Sequence, residues 1–476
     1  MASVIEKTIR KAVTPALQAV ASINRTRLPG AENNPFLRGI HTPLTEEFTL
    51  DNPTVTGTIP AELDGRYVRI GPNPFGETGK GHHWFLGDGM VHGIRLKDGK
   101  AEWYRNRFIR SAELEGKGGP PAVGGPRRGF GDTVNTNVLD IGGTIMALVE
   151  ANSFPVELDG NLDSVAYSDF GGGLTGSFTA HPHQCPDTGE YHAICYEGPS
   201  QDTIRHVAID RHGKVLRETE IAVKHGPSIH DCALTENFVV ILDLPVTFSM
   251  QALMSGHKFP YRWNRDHKAR VGLLPRGATR DEVVWHEVDP CYVFHVGNSF
   301  EDETGQVIID VCPYETIFDG EMPGPYGKAL GLERWTVDRQ GGKVIRRTMD
   351  AAGQEFPRPD ERYFTKPHRY LWSMGMPEDG DLEFVAPMPL YRHDLATGER
   401  VQHVFGEGRI PGEFVFVPRS ADAPEGDGWV MGYVIDRNHG TSALEILDAM
   451  SLSPVAAVHI PHLIPPGFHG NWIAAS

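Results

Sequence analysis

Histidine is the residue type that offers the most chemistry in this sequence. The 476 residues include 22 histidines, and a neutral imidazole is a common ligand for zinc, copper, iron and nickel. Four of them lie where a strand-like run starts or ends, beside small or turn-forming residues: His181, His230, His295 and His469. They are too far apart for one local motif, so a shared metal site requires several β-units to converge on a common axis. Each of these histidines, taken singly, is also compatible with a packed or a surface position.

The other histidines and the short motifs indicate no second site. We expect the histidines that stand among charged residues to be solvated: His206, His212, His286 and His393. The segments GETGKGHH (76–83) and GDGMVHG (87–93) do not match the phosphate-loop or dinucleotide patterns, because their glycines are spaced differently. The motifs HExxH, GxSxG, HxD and HxE are absent, which disfavours a zinc protease, a serine esterase and a facial-triad iron enzyme.

Composition excludes several classes of protein. The chain has 62 acidic against 45 basic residues and a net charge of −17, which argues against nucleic acid as a partner because phosphate binding depends on cationic groups. No apolar run reaches the roughly 18 residues that a bilayer-spanning helix needs. The five cysteines form no CxxC pair, so we expect neither disulfides nor a cysteine zinc site, and a cytoplasmic location fits best.

The first 32 residues are predicted to be a leader with short amphipathic helices. Ile5, Ile9 and Val13 recur every four residues, and Thr14-Pro15 is typical of a helix start. Residues 1–27 hold five basic residues and one Glu. This pattern is compatible with peripheral contact to a membrane surface, with a targeting sequence, with a solvated leader, or with helices docked on the body of the protein.

The rest of the chain, 33–476, is predicted to be one all-β domain. Its 54 Gly and 36 Pro require many tight turns. Short β-prone runs such as IRHVAID (204–210) and QVIIDVC (306–312) alternate with Asp/Gly turns such as DRHGK (210–214). No regular helical insert separates them, which disfavours a parallel α/β sheet. Antiparallel units that close radially, as in a β-propeller, would accommodate this many hairpins in one domain.

Nine sequence blocks together resemble the carotenoid cleavage oxygenase family, which also includes lignostilbene-type stilbene-cleaving enzymes and retinoid isomerases. The similarity extends over about residues 33–476. The blocks are ELDGRYVRIGPNP (62–74), WFLGDGMVHGIRL (84–96), YRNRFIRS (104–111), VNTNV (134–138), TAHPHQCPDTGE (179–190), HDCALTENFVVILDLP (230–245), EFPRPDERY (355–363), EFVFVPRSADAPEGDGWVMGYVID (413–436) and GFHGNW (467–472).

The resemblance implies a fold and a metal centre. It implies a seven-bladed β-propeller with one Fe(II) per chain on its axis, beneath a cap of loops and helices that forms a substrate tunnel. The four iron-ligating histidines of the family fall on His181, His230, His295 and His469. Three glutamates that orient these ligands fall on Glu150, Glu355 and Glu413, while His181 has no acidic partner. No organic cofactor is implied, and the implied reaction is cleavage of a C=C bond by O2 to two carbonyl products.

The resemblance implies an apolar polyene or stilbene as the substrate. Stilbene-cleaving members hold the phenolic hydroxyl of the substrate with a Tyr and a Lys. At the matching blocks this sequence has Phe108, which we expect in the tunnel, and it offers Arg127 and Arg128 but no Lys. A carotenoid or apocarotenoid is therefore favoured, and a stilbene is the alternative. The apolar run 244–256 is compatible with the tunnel mouth, a membrane-touching patch or a buried helix.

Two functions of other classes stay open at the level of sequence. A non-catalytic propeller would bind ligands or partners without consuming O2. A propeller hydrolase with another divalent metal would place oxygen from water in both products.

Overall fold

Strands dominate the described part of the chain, and its helices are short. The computed structural model describes residues 19–30, 32, 34–128, 132–198, 200–320, 324–377 and 386–475. The helices are α1 (19–25), α2 (Ala112–Gly116) and α3 (Met250–Met254), with 3-10 turns at Pro35–Leu37, Gly39–His41, Trp84–Leu86 and Glu361–Tyr363. No helix in these ranges is long and apolar enough to cross a bilayer.

The strands follow one another from residue 49 to residue 474. In chain order they are β1 (Thr49–Asp51), β2 (Val55–Gly57), β3 (Gly65–Pro72), β4 (Gly89–Lys97), β5 (Lys100–Phe108), β6 (Asn137–Ile141), β7 (Thr144–Leu148), β8 (Val156–Leu158), β9 (Ser164–Tyr167), β10 (His183–Gln184), β11 (Tyr191–Cys195), β12 (Thr203–Ile209), β13 (Val215–Ala222), β14 (Cys232–Leu234), β15 (Phe238–Asp243), β16 (Val246–Phe248), β17 (Tyr261–Trp263), β18 (Arg270–Pro275), β19 (Val284–Glu287), β20 (Tyr292–Glu301), β21 (Val307–Tyr314), β22 (Leu332–Asp338), β23 (Lys343–Asp350), β24 (Gln354–Pro359), β25 (Tyr370–Gly375), β26 (Leu390–Asp394), β27 (Glu399–His403), β28 (Arg409–Pro411), β29 (Val415–Pro418), β30 (Gly428–Asp436), β31 (Thr441–Asp448), β32 (Pro454–Ile460) and β33 (Gly470–Ala474).

These strands form mostly antiparallel sheets in a propeller-like arrangement. Within the described residues the sheets of four or more strands have the orders β1-β5-β4-β3-β33, β6-β7-β8-β9, β10-β11-β12-β13, β14-β15-β18-β19-β23-β22-β21-β20, β24-β25-β26-β27 and β2-β32-β31-β30-β28, with β29 also paired to β30. The all-β prediction is confirmed. Seven separate sheets are not seen, because one parallel pair, Glu287 with Lys343, joins β19 to β23 in an eight-stranded sheet.

The predicted Asp/Gly turns close the hairpins as expected. Asp210 Oδ1 accepts the backbone N–H groups of His212 and Lys214, each at 2.9 Å. Gly213 in the same turn has φ +83°, a left-handed conformation in which a side chain would be strained. The turn therefore depends on both residues, one as a local acceptor and one for its backbone freedom.

Strands from the start and from the end of the described chain pair with each other. The last strand, β33, pairs antiparallel with β3, and β2 pairs with β32. One strand of each unit contacts the corresponding strand of the next unit, in the series β10, β14, β20, β24, β29, β33 and β6. Asn137 on β6 then donates to Ala180 O at 2.8 Å, just before β10. These contacts complete a ring.

Apolar side chains fill the space between neighbouring sheets. One cluster combines Val68 of β3, Val156 of β8 and Val207 of β12, which belong to three different sheets and are all fully buried. Buried area of this kind is the main stabilising contribution to such a fold. All five cysteines are buried and unbridged, which agrees with the prediction of no disulfides.

Three of the histidines predicted to be solvated are in fact buried: His206, His286 and His393. Only His212 is exposed as predicted. The error has a simple cause, since successive residues of a strand point to opposite faces. A charged neighbour such as Arg205 therefore says little about where His206 points.

The leader is only partly described. Its first 18 residues, including the predicted helix start at Thr14-Pro15, lie outside the described residues, whereas 19–25 form α1. Asn24 Nδ2 donates to Met254 O at 2.7 Å, and Arg25 Nε donates to Gly256 O at 2.9 Å. Helix α1 is thus docked beside α3 on the body of the protein.

The closure between β33 and β6 depends on Asn471. Its Nδ2 donates to Asn137 Oδ1 and Val138 O, both at 2.9 Å, and its Oδ1 accepts from Arg358. We expect Asn471→Ala to lower the free energy of unfolding by about 1–3 kcal/mol, because buried polar groups lose their partners. Urea unfolding measures this change. An equal effect from the control Asn438→Ala, in an exposed turn, would contradict it.

Candidate metal centre

The four histidines predicted from their sequence context come together in the structure. His181 and His230 precede β10 and β14 by two residues, His295 lies within β20, and His469 directly precedes β33. Each therefore lies in, or just before, an edge strand of a different antiparallel unit. Their ligand atoms all lie within 4.8 Å of one another, so the group could hold one metal ion.

The ring nitrogens of these histidines face one another at close range. His295 Nε2 lies 3.2 Å from His230 Nε2 and 3.0 Å from His469 Nε2. His181 Nε2 is buried and has no hydrogen-bond partner among the described residues. Such convergence of nitrogen atoms requires a proton or a cation between them, because bare lone pairs repel each other.

Glutamates hold the opposite nitrogen of three of the rings. Glu355 Oε2 lies 2.6 Å from His295 Nδ1, and Glu413 Oε1 lies 3.1 Å from His469 Nδ1. Glu150 Oε2 is 3.1 Å from His230 Nδ1. A carboxylate only accepts hydrogen bonds, so the rings of His295 and His469 carry their proton on Nδ1 and turn the Nε2 lone pair inward. The contact of His230 Nδ1 with Glu150 is at ion-pair distance without hydrogen-bond geometry.

The glutamates are themselves held by further contacts. Glu150 Oε1 accepts hydrogen bonds from the hydroxyls of Tyr196 and Ser228. Glu413 Oε2 accepts the backbone N–H of Gly470 at 2.8 Å, and Arg358 lies 3.5 Å from its other oxygen. Carboxylates tied in this way keep the ligand rings in fixed orientations.

Glu355 has fewer partners than the other two glutamates. Its Oε2 accepts both His295 Nδ1–H and the backbone N–H of Phe356, while its Oε1 is buried without a partner among the described residues. Burial raises the pKa of Glu355 to about 8. A divalent cation at the cluster would lower that pKa, because nearby positive charge favours the carboxylate form.

The pKa values of two of the four histidines favour metal binding. Burial lowers the pKa of His181 and of His295 well below the ordinary value, which keeps both rings in the neutral form that binds metals. Burial also acts on His230, but the Glu150 carboxylate raises its pKa. In the case of Glu413, burial is outweighed by His469 and Arg358, so the pKa falls to about 2.

Sequence reasoning missed the residues that support the cluster from behind. Asp231 Oδ1 accepts from Cys232 N and lies 2.7 Å from His183 Nε2, and its Oδ2 accepts from Val296 N at 2.9 Å. Asp231 thereby connects His183, two residues after the candidate ligand His181, with Val296, which follows the candidate ligand His295. The one feature of the sequence that could have identified Asp231 is its position directly after His230.

An apolar cavity of about 140 Å³ opens onto one side of the cluster. His230, His295 and His469 line it, whereas His181 lines a separate, more polar cavity on the other side. Aromatic side chains form much of the wall: Trp84, Phe85, Tyr196, Phe259, Tyr261, Phe294, Phe356 and Phe468. The cavity therefore fits a mostly apolar molecule.

The structure does not place Phe108 at this cavity. Phe108 ends β5 and packs with Met90 and Leu114 in a separate buried cluster, and its ring meets Phe75 edge-on. Its position opposite Met90 in the sheet directs the side chain into that layer. The expectation that Phe108 lines the tunnel is therefore not supported.

The segment 244–256 directly precedes a stretch that lines the cavity. It forms β16 and α3, and the next residues, Lys258 and Phe259, line the cavity. Ala252 is buried while Met250 is exposed. Of the three alternatives for this segment, the structure thus gives a short helix that is buried on one side only.

We expect Glu355→Gln to weaken binding of a divalent metal about 10- to 100-fold, because His295 loses the carboxylate that orients it. Titration of the metal-free protein with Co²⁺, followed by visible absorption, measures the dissociation constant. Glu361→Gln is a matched control on the same segment, since Glu361 is exposed. Equal affinity in both variants would show that Glu355 does not support the metal site.

Comparisons with known proteins agree with this site and fold. The family described as retinal pigment epithelial membrane protein matches residues 41–474. A carotenoid cleavage oxygenase of Mycobacterium tuberculosis is 38% identical, over 92% of this chain and 97% of its own. A carotenoid 9,10(9',10')-cleavage dioxygenase of Arabidopsis thaliana is 31% identical, over 92% of this chain and 89% of its own.

Solved structures show the same fold. The lignostilbene dioxygenase of Pseudomonas brassicacearum superposes with a TM-score of 0.83 at 24% identity, covering 93% of this chain and 99% of its own. An apocarotenoid oxygenase of Synechocystis gives a TM-score of 0.79 at 26% identity, covering 92% and 98%. On the evidence of the family match and these relatives, the chain belongs to the carotenoid cleavage oxygenase family.

Proposed function

We propose that this protein is a non-haem Fe(II) dioxygenase that cleaves a C=C bond of a carotenoid or apocarotenoid to two carbonyl products. The observation that carries the proposal is the convergence of four histidines at one end of an aromatic cavity. The named activity of the 38% identical relative supports it.

The residues present fit an iron ion. His181 contributes a buried nitrogen that lacks any described partner, and the other three rings direct lone pairs to the same point. Four neutral imidazoles leave the 2+ charge of the ion in place, and the carboxylates of Glu150, Glu355 and Glu413 balance part of it from one layer further out. When bound, Fe(II) would supply the activation of O2 beside the double bond.

The chain's own residues position the substrate and keep water away. Phe294 lies between the cluster and the cavity wall, with its ring 5.0 Å from that of His230. Phe356 stacks at 5.1 Å on His295. Such rings hold a flat conjugated chain by stacking and exclude water from the reacting bond.

We further propose one domain over 33–476 with seven blades. The eight-stranded sheet contains two antiparallel units, β14-β15-β18-β19 and β20-β21-β22-β23, that share only one parallel pair. Counted separately, they bring the units to seven. Each unit then supplies one member of the candidate site: Glu150, His181, His230, His295, Glu355, Glu413 and His469.

A stilbene is the alternative substrate. A resveratrol cleavage oxygenase of Chaetomium globosum is 28% identical over 94% of this chain. Membership of the family therefore does not by itself distinguish a carotenoid substrate from a stilbene. We propose a cytoplasmic enzyme that contacts a membrane surface through the exposed side chains of Val20, Ile23 and Met250. An apolar substrate dissolved in lipid would be reached from such a surface.

Metal content and oxygen labelling test the function. We expect the protein purified without oxygen to bind one Fe(II) per chain, and His295→Ala to lose it, while His212→Ala at an exposed position retains it. With ¹⁸O2, both carbonyl products should carry the label, provided they are reduced to alcohols at once to prevent exchange with water.

Three other results would each indicate a different function or substrate. Label from water in both products would indicate a hydrolase. No O2 consumption with β-carotene, an apocarotenal or resveratrol would indicate a binding protein. Cleavage of resveratrol alone would favour the stilbene alternative.

A further inference from the structure

Tyr261 presents an unpaired hydroxyl to the cavity. The residue begins β17, lines the cavity and is only 6% exposed. Its ring is fixed by three other rings, those of Tyr196 at 5.8 Å, Phe248 at 6.0 Å and Phe259 at 5.4 Å. Its hydroxyl forms no hydrogen bond with any described residue. A buried polar group of this kind is costly unless a ligand or water satisfies it.

Asn152 presents a donor in the same region. Its Oδ1 accepts the backbone N–H of Gly198 at 3.1 Å, which identifies that atom as the oxygen and leaves the Nδ2 amide to donate elsewhere. A Cβ placed on Gly198 would stand 3.6 Å from Tyr261 Oη and 3.9 Å from Asn152 Oδ1. The two polar groups are therefore close neighbours on the cavity wall.

Lys258 adds a third donor to the cavity lining. It lies three residues before Tyr261 and is exposed. Among the described residues its Nζ has no ion-pair or hydrogen-bond partner, so its charge is free to attract a negative or strongly accepting group.

All three groups can donate a hydrogen bond, Asn152 Oδ1 is already occupied by Gly198 N, and Lys258 has no acceptor. An oxygen that only accepts can therefore be bound by all three groups, whereas an oxygen that must also donate finds one free acceptor among them, the Tyr261 hydroxyl. A carbonyl or carboxylate oxygen meets this requirement, an alcohol meets it less well, and a hydrocarbon end does not meet it. Most of the remaining lining is aromatic or aliphatic, so these donors would determine which end of a polyene enters.

We propose that Asn152, Tyr261 and Lys258 form a polar subsite that binds a carbonyl or carboxylate oxygen at one end of the substrate. The inference rests on the proposed function and makes it more specific: the substrate class is an apocarotenoid aldehyde or acid rather than a hydrocarbon carotene. The wall from Glu150 to Asn152 connects the subsite to the metal centre, since the Cα atoms of these residues are at most about 7 Å apart.

Three substitutions test the subsite while changing little else. Tyr261→Phe removes only the hydroxyl. Asn152→Asp keeps the acceptor for Gly198 N and replaces the donor, and Asp tolerates the left-handed backbone of Asn152, φ +69°. Lys258→Met removes the charge at an exposed position, so this variant should fold normally.

The measurement compares an apocarotenal, the corresponding apocarotenol and β-carotene. We expect each variant to lower the kcat/KM ratio of apocarotenal over β-carotene about 3- to 10-fold, through KM rather than kcat, as for the loss of one hydrogen bond. The wild type should prefer the aldehyde to the alcohol. Tyr363→Phe and Lys268→Met are controls on other surfaces and should leave the ratio as in the wild type.

A binding assay separates failure of the subsite from failure of the function. Bound polyene should quench the fluorescence of Trp84, which lines the cavity, so apocarotenal affinity can be measured without turnover. Weaker binding in the variants supports the subsite even if no cleavage occurs. Cleavage with unchanged ratios and unchanged affinities in all three variants would overturn the subsite and leave the proposed function standing.

Discussion

The rest of this structure depends on the repulsion between imidazole nitrogens that face each other at hydrogen-bonding distance. His295 Nε2 has two such neighbours, at 3.0 Å and 3.2 Å. A proton can relieve one of these contacts, but a single divalent cation relieves all of them together. Because a proton and a metal compete for the same lone pairs, metal binding should strengthen as protons are removed.

The propeller-like fold is a way of holding these nitrogens together against their repulsion. Each ligand lies in, or within two residues of, an edge strand of a different unit, so a sheet anchors the segment that carries it. The Nδ1 side of three rings is held by a glutamate, and those glutamates are held by hydroxyls, backbone N–H groups or Arg358. The pairing of β3 with β33 closes the ring and brings His469, near the end of the chain, beside the other ligands.

The sequence predicted the parts that depend on local chemistry. Asp210 and Gly213 mark their hairpin because a turn needs a local acceptor and a left-handed residue, and the structure shows both. The four histidines could be singled out from their context beside turn residues. The glutamates came only from the family resemblance, since a lone Glu in a strand-like run has no local signature.

The sequence could not predict the features that depend on which face of a strand a residue occupies, or on contacts between residues that are distant in the chain. His206 was expected in solvent and is buried, since alternation decides its direction and charged neighbours do not. Phe108 was expected in the tunnel and packs in another layer. Tyr261 and Asn152 had no signal, because their proximity arises from Gly198, far from either in sequence.

The most direct test of the central claim is X-ray absorption spectroscopy of the Fe(II)-loaded protein. The account predicts a first coordination sphere with four imidazole nitrogens, recognised by their multiple scattering, and no sulfur ligand. The same spectrum of Glu413→Gln should show a less ordered set of imidazoles. A first sphere with fewer than four imidazoles, or with a protein carboxylate in place of one, would contradict the claim that these four rings hold the metal.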